Sequence, residues 1–496
     1  MKIQNKIALY IILSAFTIVA ISACGKKDSS GNTTTGGNGG NNGGTTVTTP
    51  VKTDVSMWVT TAEQTQLLAK QNTALLFSTA TNTNTTINVD TTTTYQSIDG
   101  FGFALTDGSA QVINALPVGK ASLLNELFST DSTSIGISYI RITIGASDMS
   151  ASTFTYDDLL GSSTDVNLQN FNINPDLTDL VPILKQIIAI NPKIKILACP
   201  WTAPVWMKTS TIGNGGFEGG SLNTAYYATY AQYFVKYIQA MAAQGITIDA
   251  VTPQNEPLNA YNTPAMLMQS NEEANFIKNN LGPAFATAGI KTKILAYDHN
   301  CDHPEYATQV LGDAGANPYV DGSAFHLYAG DISALSTVHN AYPSKNVYFT
   351  EQATFSTGSF SGDLNWHVTN LIVGATRNWS RNVIEWNLAS DPSFGPHTTG
   401  GCTTCQGAIT VNSSSFSRNV SYYIIAHASK FVRPGAVRIA SDASTALPNV
   451  AFKNTDGSKV LIVLNSSGST QSFNIKFNSK IVTTSLANGS VATYKW

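Results

Sequence analysis

Charge is scarce in this chain. Only 12% of its 496 residues are Asp, Glu, Lys or Arg, and the formal net charge is −3. No basic run occurs, which argues against nucleic acid or an anionic membrane surface as the partner. Cysteine is nearly as sparse, at five residues. Cys402-Thr403-Thr404-Cys405 has no second pair of ligands at zinc spacing, although an exported protein could close it as a small-loop disulfide. Cys199, in an apolar run, reads as an inert core thiol. Gly100-Phe101-Gly102 lacks the final glycine of a dinucleotide fingerprint and precedes no suitable βαβ unit. His299-Asn300-Cys301-Asp302-His303 gathers ligand-type side chains, but one short loop rarely closes a metal site. Neither a metal nor an organic cofactor is expected. No solenoid or propeller period is present, which counts against a structural adhesin.

What the chain does have begins at its N-terminus. Lys2 and Lys6 precede a short apolar run over 7–21, too short to span a membrane with confidence. Ile21-Ser22-Ala23-Cys24 then places small residues before a cysteine. This resembles a bacterial lipoprotein signal over 1–23, in which Cys24 becomes the lipidated first residue of the mature protein. The alternative is an ordinary secretory signal. Residues 24–52, rich in Gly, Asn and Thr, read as a flexible tether. The expectation is an exported lipoprotein held at the outer membrane through this anchor alone, and otherwise a monomer.

Beyond the tether, apolar and polar segments alternate as βα units do. Candidate strands fall at 98–105, 137–144, 194–199, 248–253, 292–297, 322–328, 346–350 and 382–387, with helix-length amphipathic stretches such as 224–243 between them. Eight such units predict a (β/α)8 TIM barrel over 96–432, with its active site at the C-terminal strand ends. From 433 to 496, short strands separated by Asn/Gly/Ser turns predict an appended antiparallel β-sandwich. Residues 53–95 are expected to join it.

Two strand ends carry the informative acids. Glu256 stands in Gln254-Asn255-Glu256-Pro257, where proline stops the strand immediately after the acid, and Glu351 closes Val347-Tyr348-Phe349-Thr350-Glu351. A carboxylate pair at one barrel mouth is what glycosidic bond cleavage uses. Other strand ends complete the site. Asp107 can accept hydrogen bonds from sugar hydroxyls, or alternatively cap a helix. Trp201, between prolines, offers a face to a pyranose. Tyr328 can orient the Glu351 carboxylate with His326 behind it. Glu385-Trp386-Asn387 supplies a second aromatic wall, and Tyr261 lies on the leaving-group side of Glu256.

In order, Gly100-Phe101-Gly102, Arg141, Pro200-Trp201-Thr202, Asn255-Glu256-Pro257, His326-x-Tyr328, Glu351 and Trp386-Asn387 resemble glycoside hydrolase family 30. The resemblance runs from about residue 96 to the C-terminus. It implies a barrel with an appended sandwich and a retaining mechanism, Glu256 as acid/base and Glu351 as nucleophile. It also implies that Asp107, Trp201, Asn255 and Trp386 hold the sugar, with Arg141 in support. Asn259-Ala260-Tyr261-Asn262 and Leu327-Tyr328-Ala329-Gly330 look more like the endo-β-1,6-glucanase branch than like the glucosylceramidases. The expected substrate is therefore a β-glucan. A glucosylceramidase or β-glucosidase is the alternative within the enzymes, and a non-catalytic carbohydrate-binding lipoprotein the alternative outside them. Repulsion between close carboxylates is expected to raise Glu256 and keep it protonated for the first step.

Overall fold

A computed structural model describes residues 51–212 and 216–496; Cys24 and the proposed signal lie outside them. Eight strands close into a barrel: β1 Gly100–Ala104, β2 Tyr139–Thr143, β3 Lys195–Cys199, β4 Ala250–Val251, β5 Lys293–Cys301, β6 Val320–Gly330, β7 Asn346–Glu351 and β8 Ser380–Glu385. All neighbours run parallel, and β8 pairs with β1.

Alternation along the strands explains the closure. Tyr139, Leu197, Ala250, Leu295, Ala324, Tyr348 and Ile384 form one buried cluster, drawn from seven successive strands. Their sequence neighbours Ile140, Ile196, Val251, Ile294, Phe325 and Val347 belong to the larger core shared with the helices. Gly102 is required by close approach, since a Cβ there would sit 1.9 Å from the Tyr139 carbonyl oxygen. The Gly-x-Gly of β1 is a packing device of the barrel wall.

The segment before the barrel and the C-terminus build one second layered unit. Ser56–Thr60, Ala69–Lys70 and Thr85–Ser97 join six C-terminal strands between Val437 and Lys495. Val55, Met57, Ile87, Leu461, Ile475 and Tyr494 fill its own core. The expected antiparallel pattern has one exception: Thr85–Ser97 runs parallel to Gln471–Phe477. The cause is length, because this 13-residue strand also pairs antiparallel with Val437–Ser441 along its other half. The helix Val420–Ser429 is buried along its whole length and ties sandwich to barrel, His427 bonding the hydroxyls of Thr60 and Thr493 at 2.8 Å each.

Strand lengths depart from expectation next to the acids. β4 is two residues long because the chain leaves it at Thr252 and turns through Glu256, whose φ is +44°. β5 runs past its expected end to Cys301, with Tyr297 and Asp298 both left-handed and a register shift between Tyr297 and His299.

Candidate active site

The C-terminal ends of β4, β6, β7 and β8 and the loops beyond them enclose a cavity of about 640 Å³, whose lining includes Asp148, Glu256, Tyr261, Tyr328, Glu351 and Trp386. At its floor, oxygens of Glu256 and Glu351 lie within 4.8 Å of each other and of a His326 ring nitrogen. That is close to the roughly 5–5.5 Å carboxyl separation of retaining glycosidases, and too short for the intervening water of inverting ones.

Each carboxylate is held by name. Glu256 stands on a left-handed backbone whose N–H donates to the Asp298 carbonyl at 3.0 Å. Its Oε2 accepts from Asn259 Nδ2 at 2.8 Å, and its Oε1 lies 3.2 Å from His326 Nδ1. Glu351 accepts from the Tyr328 hydroxyl at 3.0 Å and from Arg141 Nη1. Arg141 is fully buried, and its Nη2 reaches Asn255 Oδ1 at 2.7 Å and Asp298 Oδ2 at 2.8 Å. Its guanidinium also lies 4.8 Å from the Trp201 ring and 5.7 Å from that of Trp386. The two indoles pack with centroids 5.4 Å apart. Trp201 is buried beneath the cavity lining, and its Nε1 has no hydrogen-bond partner. Tyr261 is on the rim, 86% exposed, and its N–H bonds Asn259, the same residue that fixes Glu256.

Two of the sequence expectations change. Asp107 is the first residue of the helix Asp107–Asn114, following the N-cap Thr106. Its carboxylate accepts from Ser150 Oγ at 2.6 Å and Thr143 Oγ1 at 3.4 Å, and burial pushes it up to about 6. The acid that lines the cavity beyond β2 is Asp148, with a buried Oδ1 that lacks any partner. Burial, then the charges of Glu351 and Glu256, push Asp148 up to about 8. Its sequence signal was its place seven residues after Arg141, where β2 has ended.

The second change concerns protons. Repulsion from the neighbouring carboxylate was expected to raise Glu256, whereas the upward push at both glutamates comes first from burial. At Glu256, however, the hydrogen bond and charge of His326, with His299 and Asn259, reverse the effect and bring the carboxyl down to about 2. At Glu351, His326 and Arg141 do not fully offset burial, and the carboxyl stays above its ordinary value. Burial also works against a charged His326, but Glu351, Asp298 and Glu256 together hold it up to about 9. The surrounding charges and hydrogen bonds thus favour a charged His326 beside an ionised Glu256.

Asp298 is the residue the sequence did not disclose. Fully buried, it accepts from Arg141, Thr252 Oγ1 at 2.7 Å and Thr350 Oγ1 at 2.6 Å, and it lies 3.1 Å from His326 Nε2. Burial opposes its charge, but Arg141 and His326 outweigh it and keep the carboxylate ionised. The histidine-rich stretch after it splits up: His299 and Cys301 stay in β5, while exposed His303 pairs with Glu305.

Comparison with known proteins decides the family. Residues 98–432 match the glycosyl hydrolase family 30 TIM-barrel domain, and residues 435–494 match the family 30 beta sandwich domain. The chain belongs to glycosyl hydrolase family 30. It is 40% identical over 389 residues to an endo-1,6-beta-D-glucanase of Neurospora crassa, covering 75% of this chain and 79% of that one. With the endo-1,6-beta-D-glucanase of Aspergillus fumigatus the identity is 38%, at 75% and 79% coverage. With the lysosomal acid glucosylceramidase of Mus musculus it is 32%, at 75% and 76%. A solved endo-β-1,6-glucanase superimposes with a TM-score of 0.83 at 38% identity, covering 90% of this chain and 99% of that one. Within family 30, the chain carries both halves of the architecture and the paired glutamates.

Proposed function

We propose that this family 30 glycoside hydrolase cleaves internal β-1,6 bonds of a glucan with retention of configuration. The observation that carries the reading is the pair of buried carboxylates within 4.8 Å at the floor of an open cavity. Glu351, oriented by Arg141 and Tyr328, attacks the anomeric carbon. Glu256 protonates the departing oxygen and then, as base, activates the water that releases the glycosyl-enzyme. The proton for the first step is stored on His326 Nδ1, 3.2 Å from Glu256 Oε1. Passing it on leaves a neutral ring still facing Asp298 through Nε2. Asp148 and Trp386 serve the sugar in the cleaved position, with Trp201 packed against Trp386 and Asn255 bonded to Arg141 behind them.

Support for the β-1,6 linkage comes from the endo-1,6-beta-D-glucanases at 37–40% identity and from exposed Tyr261, placed on the rim to stack a further glucose. The deciding experiment is a product time course on linear β-1,6-glucan. Mixed short oligosaccharides in the first minutes support internal cleavage; glucose as the sole early product would move the enzyme to the exo-acting alternative. We further propose export as a lipoprotein through Cys24, on the sequence pattern of residues 1–24 alone.

A further inference from the structure

Part of the cavity wall is a covalent ring. Cys402 and Cys405 are joined by a disulfide, and both line the cavity together with Gly400 and Gly401. The ring is anchored on two sides. On one side Gly401 N–H donates to the Thr398 carbonyl, and Thr398 N–H donates to the Asp148 carbonyl, each at 2.9 Å. Contact there is so close that a Cβ on Gly401 would lie 2.3 Å from the Asp148 carbonyl oxygen. On the other side Cys405 pairs with Phe355 in a short antiparallel ladder, and Ser356 N–H donates to the Thr404 carbonyl at 2.9 Å. Phe355 lies four residues after Glu351. Cys405 also packs in one apolar cluster with Met149, Trp201, Ala353 and Trp386, with Cys402 and Phe355 against it.

The ring thus links two parts of the site: the loop of Asp148, beyond β2, and the segment that follows Glu351. The bridge closes residues 402–405 into one loop, and so removes backbone freedom from the short segment that connects the Gly401 contact with Asp148 to the Cys405–Phe355 pairing. We propose that the Cys402–Cys405 disulfide is a positioning element for substrate binding, which fixes Asp148 and the Trp386 face relative to Glu351. The proposal rests on the hydrolase reading of this cavity. The hydrogen bonds that hold the two glutamates come from Arg141, Asn259, His326 and Tyr328 and not from the ring, so opening the ring should weaken binding and spare the chemical step.

The test is a KM-against-kcat comparison on a β-1,6-gluco-oligosaccharide, using the full chain. A dithiol opens the bridge by two exchanges: its thiolate attacks one sulfur, then its second thiol displaces the mixed disulfide, leaving two protein thiols and a cyclic oxidised reagent. Loss of one well-placed contact corresponds to about a tenfold rise in KM, with kcat within about twofold. Reoxidation should restore the original KM, and the double variant C402S/C405S should match the reduced protein. A bridge that only stabilises the fold would lower the thermal midpoint and leave KM unchanged below it, which overturns the proposal. So would a fall in kcat at constant KM. If the double variant does not fold, reduction of the folded protein gives the same reading. Hydrolysis by the oxidised protein with an unmoved KM on reduction defeats this inference alone; no hydrolysis by the oxidised protein defeats the proposed function, and this inference with it.

Discussion

Glu351 receives Tyr328 and Arg141 directly, and Arg141 in turn is locked by Asp298 and Asn255. Removing that carboxylate should leave the cavity intact and the covalent step impossible. Glu351→Ala should therefore lack turnover, and azide or formate should restore part of it while giving product of inverted configuration; normal hydrolysis without an added nucleophile would contradict the assignment. Glu256→Gln should slow substrates with poor leaving groups by about 10²–10⁴-fold while sparing activated aryl glycosides, since acid assistance matters most for a basic departing oxygen. Equal losses on both would mean that Glu256 only positions the sugar. His326 gives a pH prediction. Its folded value near 9 lies above the ordinary 6.5, so the ring keeps its proton through neutral pH and loses it as pH rises through about 9. The basic limb of kcat/KM should fall near that pH in the wild type. In His326→Asn it should move down, because the proton store is gone; an unmoved basic limb would place the proton elsewhere. The acids were legible at this scale because proline and a β-branched run marked their strand ends. The proton's location was not, since it depends on a histidine 70 residues from Glu256 and on Asp298 behind it. Asp148 was missed because residues 145–150 read only as a Gly/Ser turn, and Asp107 takes the helix-start position that was the alternative to sugar binding.

All eight barrel strands lay within or beside the segments their apolar alternation had marked. What failed was length: β6 is Val320–Gly330 against the expected 322–328, and β4 and β5 depart where left-handed residues at Glu256, Tyr297 and Asp298 re-aim the backbone. Tertiary contacts impose those angles, and no local propensity announces them. Two glycines test the close approaches at this scale. Gly102→Ala would drive a methyl against the Tyr139 carbonyl, which should cost several kcal/mol and be read as a lower denaturation midpoint. Gly401→Ala should instead push the loop off Asp148 and raise KM with little loss of global stability. An unchanged KM in a folded Gly401→Ala protein would show that this wall yields without disturbing Asp148.

For the molecule as a whole, the turn-rich C-terminus disclosed the sandwich, and the strands at 55–60 and 86–89 disclosed that it borrows from before the barrel. The parallel pairing of Thr85–Ser97 was not legible, because it follows from which neighbours remain once the other strands are placed. Cys24→Ala should leave kcat and KM unchanged, since Cys24 lies some seventy residues before the first barrel strand. It should also abolish partitioning into a detergent phase, and partitioning that persists would contradict lipid anchoring.

The pairing of Ser56–Thr60 with Val491–Lys495 bears on how the chain is made. Ser56–Thr60 is paired along its whole length with Val491–Lys495, across more than four hundred intervening positions. Closing so long a loop is slow and entropically costly. The barrel core can gather before residues 491–495 are in place, but the sandwich cannot be completed without them. Deleting 491–496 removes the strand that lies between Ser56–Thr60 and Lys459–Leu464. Such a chain would expose two unpaired strand edges at once, so a truncation far from the cavity would be met in the cell as an aggregating protein and not as a slower enzyme.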